Sequence, residues 1–293
     1  MYDFKAEYQR LQTRFERFMQ EYLEELKTTP AVLGESMAYS LQNGGKRIRP
    51  VLMLATAEAF GVEESRVLPF ALALEMIHTY SLVHDDLPAM DNDDFRRGKP
   101  SNHKVFGEGN AVLAGDALLN TAFGLCLKEC FKGQDEVLAS SILCECAGID
   151  GMIAGQSADL LFEKNLENAK EKDLLYIQEN KTGKLILAAV AVPSVLSGNE
   201  YYYQLREYAV TLGRLFQITD DILDVTGDFT ALGKTIGKDE REDKLTSIRF
   251  YSLDGARVQA DVCADRCNAV LDGVKKDLSF LRDFVAMVRN RSK

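Results

Sequence analysis

Two aspartate clusters carry the strongest chemical signal in this chain. The first reads His84-Asp85-Asp86-Leu87-Pro88-Ala89-Met90-Asp91, and the second Asp220-Asp221-Ile222-Leu223-Asp224. Each closes an apolar, helix-forming stretch, where an isolated carboxylate would be costly to bury. Asp220 and Asp224 lie four residues apart and share a helix face. Gln217 and Gly213 extend that face upstream as a polar stripe on an otherwise apolar helix. Pro88 ends the first helix after Asp86, so Asp91 must return from a loop. Carboxylates gathered in this way repel one another unless a cation lies between them. An all-oxygen ligand set points to a hard ion, magnesium first and manganese second. One acidic cluster is most often a solvated helix end; two, each at the end of an apolar helix, argue against that reading.

Cations accompany both clusters. Gly44-Gly45-Lys46-Arg47-Ile48-Arg49-Pro50 places Lys46 and Arg49 three apart at a helix start. Arg96-Arg97-Gly98 follows the first cluster, Lys181-Thr182-Gly183-Lys184 interrupts a helical pattern, and Lys234, Lys238 and Lys244 follow the second cluster. Singly, each is a solvated surface charge. Together they suit diphosphates, because guanidinium forks and ammonium groups both hold phosphate oxygens. Two separate sets of cations suggest two anionic substrates.

Other readings of these stretches fail on spacing. Asp91-Asn92-Asp93 opens like a calcium loop, but Arg96 stands at its sixth position and Asn102 at its twelfth. Gly227 to Thr235 resembles a phosphate loop, but the glycine spacing is wrong and no strand precedes it.

The elements that must position these groups read as helices. Phe70 to Val83, Ala111 to Leu127, Ser140 to Ile153, Lys184 to Val192 and Tyr202 to Val225 are long, apolar and rich in adequate to good helix formers. Strand signals are missing: no segment keeps a period of two. Asn43-Gly44-Gly45 and Gly98-Lys99-Pro100 mark turns, while Gly133, Gly198-Asn199 and Gly227-Asp228 end helices. With no repeat, linker or break in composition, the 293 residues are expected to form one all-α domain. The net charge of -10 argues against a nucleic-acid surface. The longest apolar stretch, Leu185 to Leu196, is too short to cross a bilayer, so no membrane span is expected. The charged N-terminus lacks the apolar core of a secretory signal. The six cysteines form no zinc pattern and fit buried thiols in a cytoplasmic protein.

The segment from Leu74 to Glu108, LEMIHTYSLVHDDLPAMDNDDFRRGKPSNHKVFGE, resembles the first aspartate-rich region of the trans-isoprenyl diphosphate synthases, and FQITDDILDVTGD their second. GGKRIRP, the Gly155-Gln156 pair, KTG and the LGK stretch stand in family order. The likeness covers residues 30 to 255 or so. It implies an all-helical bundle around a central cavity, in homodimers, condensing isopentenyl diphosphate with an allylic diphosphate by ionisation, condensation and elimination. It implies magnesium held by Asp85, Asp86, Asp91, Asp220, Asp221 and Asp224. Arg96, Lys181, Thr182, Gln217, Lys234 and Lys244 would contact the allylic diphosphate, and Lys46, Arg49, His78 and Arg97 the isopentenyl diphosphate. The four residues between Asp86 and Asp91 resemble the bacterial and plant variant. Tyr208-Ala209 departs from the usual Tyr-Gly, and the stretch after Lys244 departs from the family pattern too.

Tyr80 lies five residues before Asp85, about 7.5 Å along a helix. A hydrocarbon growing from a diphosphate fixed at Asp85 would reach the level of Tyr80 and Ser81. In the resembling family a bulky aromatic there accompanies the fifteen-carbon product, so farnesyl diphosphate is expected. Geranylgeranyl diphosphate is the alternative within the class. A terpene cyclase would not need Lys46, Arg49 and Arg97, and a non-catalytic subunit would be expected to have lost aspartates that are all present here.

Overall fold

A computed structural model describes residues 2–163, 165–198, 200–226 and 244–291. Gly227-Asp228, Lys234 and Lys238 lie outside the described residues. The chain runs through α1 (Phe4–Glu25), α2 (Ala31–Leu41), α3 (Ile48–Phe60) and α4 (Glu64–Asp85), then α5 (Asn102–Phe106), α6 (Glu108–Glu129), α7 (Gln134–Ala147) and α8 (Met152–Glu163). After α9 (Glu171–Ile177) a π turn, Gln178–Gly183, leads into α10 (Lys184–Leu196). Next come α11 (Tyr202–Thr226), α12 (Ser247–Asp272) and α13 (Ser279–Arg289). The fold is all-α, as the sequence implied.

α10 is apolar on every side, and every residue from Leu185 to Leu196 is buried. A helix of that kind must be surrounded, and α3, α4, α7 and α11 surround it. α4 is nearly as central: Val67, Phe70, Leu72, Leu74, Met76 and Ile77 are fully enclosed. The central pair therefore fixes the C-terminal end of α4, where Asp85 and Asp86 stand. Tyr208 is also fully enclosed, and its hydroxyl donates to the Leu281 carbonyl at 3.0 Å. The departure at Tyr208-Ala209 thus falls at a packing position that ties α13 to α11.

Two expectations need correction. Ser140 to Ile153 is not one helix, because α7 ends at Ala147 and α8 starts at Met152. At Gly151 a Cβ would come within 2.2 Å of the Cys146 carbonyl, so the chain can double back there only through glycine. Strands are not wholly missing: Phe95–Arg96 pairs antiparallel with Lys99–Pro100 around Arg97 and Gly98, both at positive φ. A two-residue hairpin is too short to show a period. By length and composition alone, Glu64–Asp85, Glu108–Glu129 and, counted across the break between α7 and α8, Gln134–Glu163 are apolar enough to cross a membrane, which does not overturn the expectation of no span. The first owes this to its place in the core, with 72% of the apolar window buried; the other two windows are 33% buried and leave apolar side chains outside.

Candidate active site

Asp85 and Asp86 end α4, and the loop that follows returns Asp91 as expected: the Asp91 N–H donates to the Asp85 carbonyl at 2.9 Å. Asp86 and Asp91 each meet a cation from a different element. Asp86 lies in the fork of Arg96, with Nε 2.8 and 3.0 Å from its two oxygens and Nη2 at 2.6 Å. Lys244 Nζ stands 3.3 Å from Asp91 Oδ2. Burial pushes the Asp85 carboxyl up to about 6; Lys181 and Arg96 oppose this, while Asp91 and Asp86 add to it. Burial raises Asp86 as well, against Arg96. Asp86 is thus paired with a bidentate guanidinium, Asp91 meets a single ammonium, and Asp85 lies in the field of Lys181 and Arg96.

Lys181 and Thr182 sit in the π turn, a local widening of the helix that is frequent at functional sites. The turn is clamped by two glycines that bear no side chain because there is no room for one. A Cβ on Gly155 of α8 would lie 2.1 Å from the Lys181 nitrogen, and one on Gly213 of α11 would lie 2.5 Å from the Gly183 Cα. Gly213 therefore belongs to close packing and not to a polar stripe. Lys181 Nζ pairs with the buried Asp159 at 2.6 Å. Burial alone would lower this ammonium, but Asp159 and Asp85 outweigh it and hold it above its usual value.

The second cluster divides. Asp221 is buried and accepts from Gln217 Nε2 at 2.9 Å and from the Ser247 N–H at 2.7 Å. Thr182 Oγ1 donates to Gln217 Oε1 at 3.1 Å, so the π turn, α11 and the start of α12 share one chain of hydrogen bonds. Asp220 instead pairs with Arg291 at 2.5 Å. Asp224 is half-buried one turn further on. Among the described residues no three carboxylate, histidine or cysteine groups already converge on one point. A magnesium ion that takes part of its shell from water and phosphate needs no such cage, and the all-oxygen donors fit that ion.

The other cation set surrounds the glycine turn before α3. Arg97 donates to the Gly44 carbonyl, and its guanidinium lies against Gly45, where a Cβ would be 2.5 Å from Cζ. Asn43 Nδ2 donates to the Arg96 carbonyl at 3.0 Å, which ties the hairpin to the same turn. Arg49 is half-buried, with Nε enclosed and unpartnered. Burial pulls its guanidinium down to about 10, with Arg97 adding to this and Glu75 and Asp220 opposing it. Lys46 is exposed at the turn. Burial, then Arg49, Arg97, Arg96 and Arg47, hold the His78 imidazole well below its usual value. His78 is therefore a neutral donor or acceptor within a basic pocket.

Tyr80 is buried, its hydroxyl oxygen has no hydrogen-bond partner, and burial and Asp85 push it up to about 12. Its ring meets His84 edge-on at 5.7 Å. Ser81 donates its hydroxyl to the His78 carbonyl at 2.9 Å and so stays close to α4. Sequence reasoning missed Asp159, Arg291 and the buried Arg47–Glu75 pair. Asp159 carried one usable signal: it follows Gly155 by four residues and so shares its helix face.

An all-helical bundle that joins a carboxylate centre to two separate sets of cations defines an enzyme class that handles organic diphosphates. Residues 30–272 match the polyprenyl synthetase family, and the chain belongs to it as a prenyltransferase. It is 46% identical over 251 residues to the farnesyl diphosphate synthase of Geobacillus stearothermophilus, covering 83% of this chain and 82% of that one. It is also 46% identical over 237 residues to a chloroplastic geranylgeranyl pyrophosphate synthase of Catharanthus roseus, covering 79% and 66%. The structure of a geranyltransferase from Helicobacter pylori, complexed with magnesium and isoprenyl diphosphate, superposes with a TM-score of 0.83 at 32% identity over 99% of this chain and 97% of that one.

Proposed function

We propose that this enzyme condenses isopentenyl diphosphate head to tail with dimethylallyl or geranyl diphosphate and releases farnesyl diphosphate. The observation that carries this is the separation of the cations. Arg96, Lys181 and Lys244 face the carboxylates, whereas Arg49 and Arg97 bear on a neutral His78 and Lys46 stands at the glycine turn. The first set takes the allylic diphosphate, with Thr182 and Gln217 beside it, and the second takes isopentenyl diphosphate. Lys234 lies outside the described residues and keeps its proposed role on the resemblance alone. Asp85, Asp91, Asp220 and Asp224 would hold magnesium, a donor set that manganese also accepts. Bound there, the ion would neutralise charge on the departing diphosphate. Asp86 and Asp221, held by Arg96 and by Gln217 with Ser247, keep those ligands in place. Lys181 and Arg96 stabilise the leaving diphosphate as the allylic carbon–oxygen bond breaks. The apolar flank of α4 keeps water from the cation while the isopentenyl double bond attacks. Proton loss to the released diphosphate completes the product.

Chain length rests on Tyr80. Its neutral, buried ring stands about 7.5 Å from Asp85 along α4, and a packed interior does not yield to another prenyl unit without strain. Relatives of equal identity make fifteen- and twenty-carbon chains by name, so identity alone does not choose between them. Incubation with labelled isopentenyl diphosphate and each allylic diphosphate, followed by chromatography, should give farnesyl diphosphate from the wild type. Tyr80→Ala should extend the product to geranylgeranyl diphosphate or beyond. A wild type that makes mostly geranylgeranyl diphosphate, or a variant that still stops at farnesyl, removes Tyr80 as the floor.

We further propose that two copies pair through α6, α7 and the turn between them, where Leu113, Leu127, Phe131 and Leu138 are exposed. The six cysteines are all free, which fits the cytoplasmic setting we propose.

A further inference from the structure

Between Lys46 and Arg49 stands Arg47, whose side chain is enclosed where Lys46 is exposed and Arg49 half-buried. Its backbone is left-handed (φ 51°, ψ 36°) at the start of α3, a conformation disfavoured for any residue with a Cβ. Its guanidinium is enclosed, with 2% of the side chain exposed. Nη2 donates to the Leu41 carbonyl at 2.6 Å, and Nη1 donates to Glu75 Oε1 at 2.9 Å. Glu75, on α4, has 3% of its side chain exposed. It lies one turn before His78, and its charge also favours the protonated guanidinium of Arg49.

The turn is fastened at other points too: Tyr8 donates its hydroxyl to the Lys46 carbonyl at 2.6 Å, and Arg97 bonds Gly44. The contacts that act on the residue with the unfavourable backbone are those of the Arg47 guanidinium: the Leu41 carbonyl, Glu16 on α1 with Oε1 3.6 Å from Nε, and Glu75, the one partner that is itself enclosed. A buried ion pair contributes little net stability compared with apolar side chains of the same size. This one holds a geometry instead.

We propose that Arg47 and Glu75 are positioning residues for the isopentenyl diphosphate pocket: their buried pair keeps residue 47 left-handed, so that Lys46 and Arg49 leave the turn toward the substrate. The inference rests on the function proposed above. Without the tether, a residue with a Cβ at position 47 relaxes to a right-handed or extended backbone, and the two cations on either side of it diverge.

The test uses the full-length chain, with isopentenyl diphosphate binding measured by calorimetry without metal and KM measured for each substrate. Arg47→Met with Glu75→Leu replaces the pair by apolar side chains. This variant should melt as a folded protein but bind isopentenyl diphosphate about tenfold more weakly or worse. KM for the allylic substrate should stay within about twofold. Changing position 47 of that variant to glycine, which adopts the left-handed conformation readily, should restore binding to within about threefold of wild type. Glu75→Gln keeps a hydrogen-bonded tether and should lose less than about threefold.

Undiminished binding in the Met/Leu variant overturns the proposal, as does a Gly/Leu variant no better than the Met/Leu one, or equal loss for both substrates. A tenfold loss in Glu75→Gln at an unchanged melting temperature assigns the effect to charge and overturns the tether. Should the Met/Leu variant not fold, the Gly/Leu variant and Glu75→Gln decide the question by the same thresholds. A wild type that binds no isopentenyl diphosphate overturns the underlying function, and the tether with it, a result distinct from all of these.

Discussion

The carboxylate end of α4 and the glycine turn before α3 are both dense in charge, but they satisfy it in opposite ways. At the carboxylates, ion pairs join separate elements: Asp86 with Arg96, Asp91 with Lys244, and Asp159 with Lys181. A substrate or metal arriving there has to exchange partners with groups already paired. At the glycine turn, backbone carbonyls accept from Arg47 and Arg97, Glu75 and Glu16 pair with Arg47, and Arg49 keeps an enclosed nitrogen without a partner. One region pairs its carboxylates with cations from other elements, while the other crowds Arg47, Arg49 and Arg97 around His78 and leaves the Arg49 Nε enclosed without a partner. The first suits chemistry in which charge develops and moves; the second suits capture of an anion that keeps its charge throughout.

The hardest way to break this contrast is at Asp85, whose carboxyl is already held near 6 by burial. Asp85→Ala should lower turnover at least about a hundredfold while the helical circular dichroism is retained. Activity near wild type would show that the carboxylate end is not where charge moves.

The cations sharpen the contrast with a smaller effect. Losing one charged hydrogen bond to phosphate costs about 1.5–3 kcal/mol. Arg49→Ala should place that cost on KM for isopentenyl diphosphate, and Lys181→Ala on use of the allylic substrate. Their effects on the substrate-free protein should also differ. Lys181→Ala leaves Asp159 buried without its cation and should lower the melting temperature. Arg49→Ala removes a half-buried cation whose Nε is enclosed without a partner and should leave that temperature unchanged or raise it. Equal impairment of the same substrate by both variants would merge the two pockets into one.

These groups were unequally legible in the sequence. Asp85, Asp86, Asp91 and the α11 aspartates announce themselves, because carboxylates closing apolar runs have no easy alternative use. α4, α6, α10 and α11 were legible for a related reason: their apolar length exceeds what strands or loops carry. The partners were not legible. Asp159 acts on Lys181 and Glu75 acts on Arg47 across distances in the chain that no local pattern records, and both look like ordinary surface acids on a helix. Gly213 looked like part of a polar stripe, yet it serves the backbone of the π turn. Nor did the apolar faces of α6 and α7 stand out while Leu185 to Leu196 was taken as the longest apolar run. Length alone ranks a buried stretch above an exposed one.

The smallest effect belongs to His78, and it probes the electrostatics of the glycine-turn pocket directly. Burial and the nearby guanidinium groups hold its imidazole well below the usual value, so the folded chain keeps it neutral while the unfolded chain takes up a proton near 6.5. Between those two values the unfolded state binds more protons than the native state. Stability therefore rises with pH up to about 6.5, and the contribution is lost as pH falls below it. His78→Gln removes the difference. The slope of unfolding free energy against pH between about 5 and 6.5 should become shallower by up to ~1.4 kcal/mol per pH unit, as read from urea unfolding at each pH. Above pH 6.5 the two proteins should run parallel, and KM for isopentenyl diphosphate should show no imidazole titration in the wild type. A slope unchanged by the substitution would mean that burial and the nearby guanidinium groups do not hold His78 neutral in the folded chain.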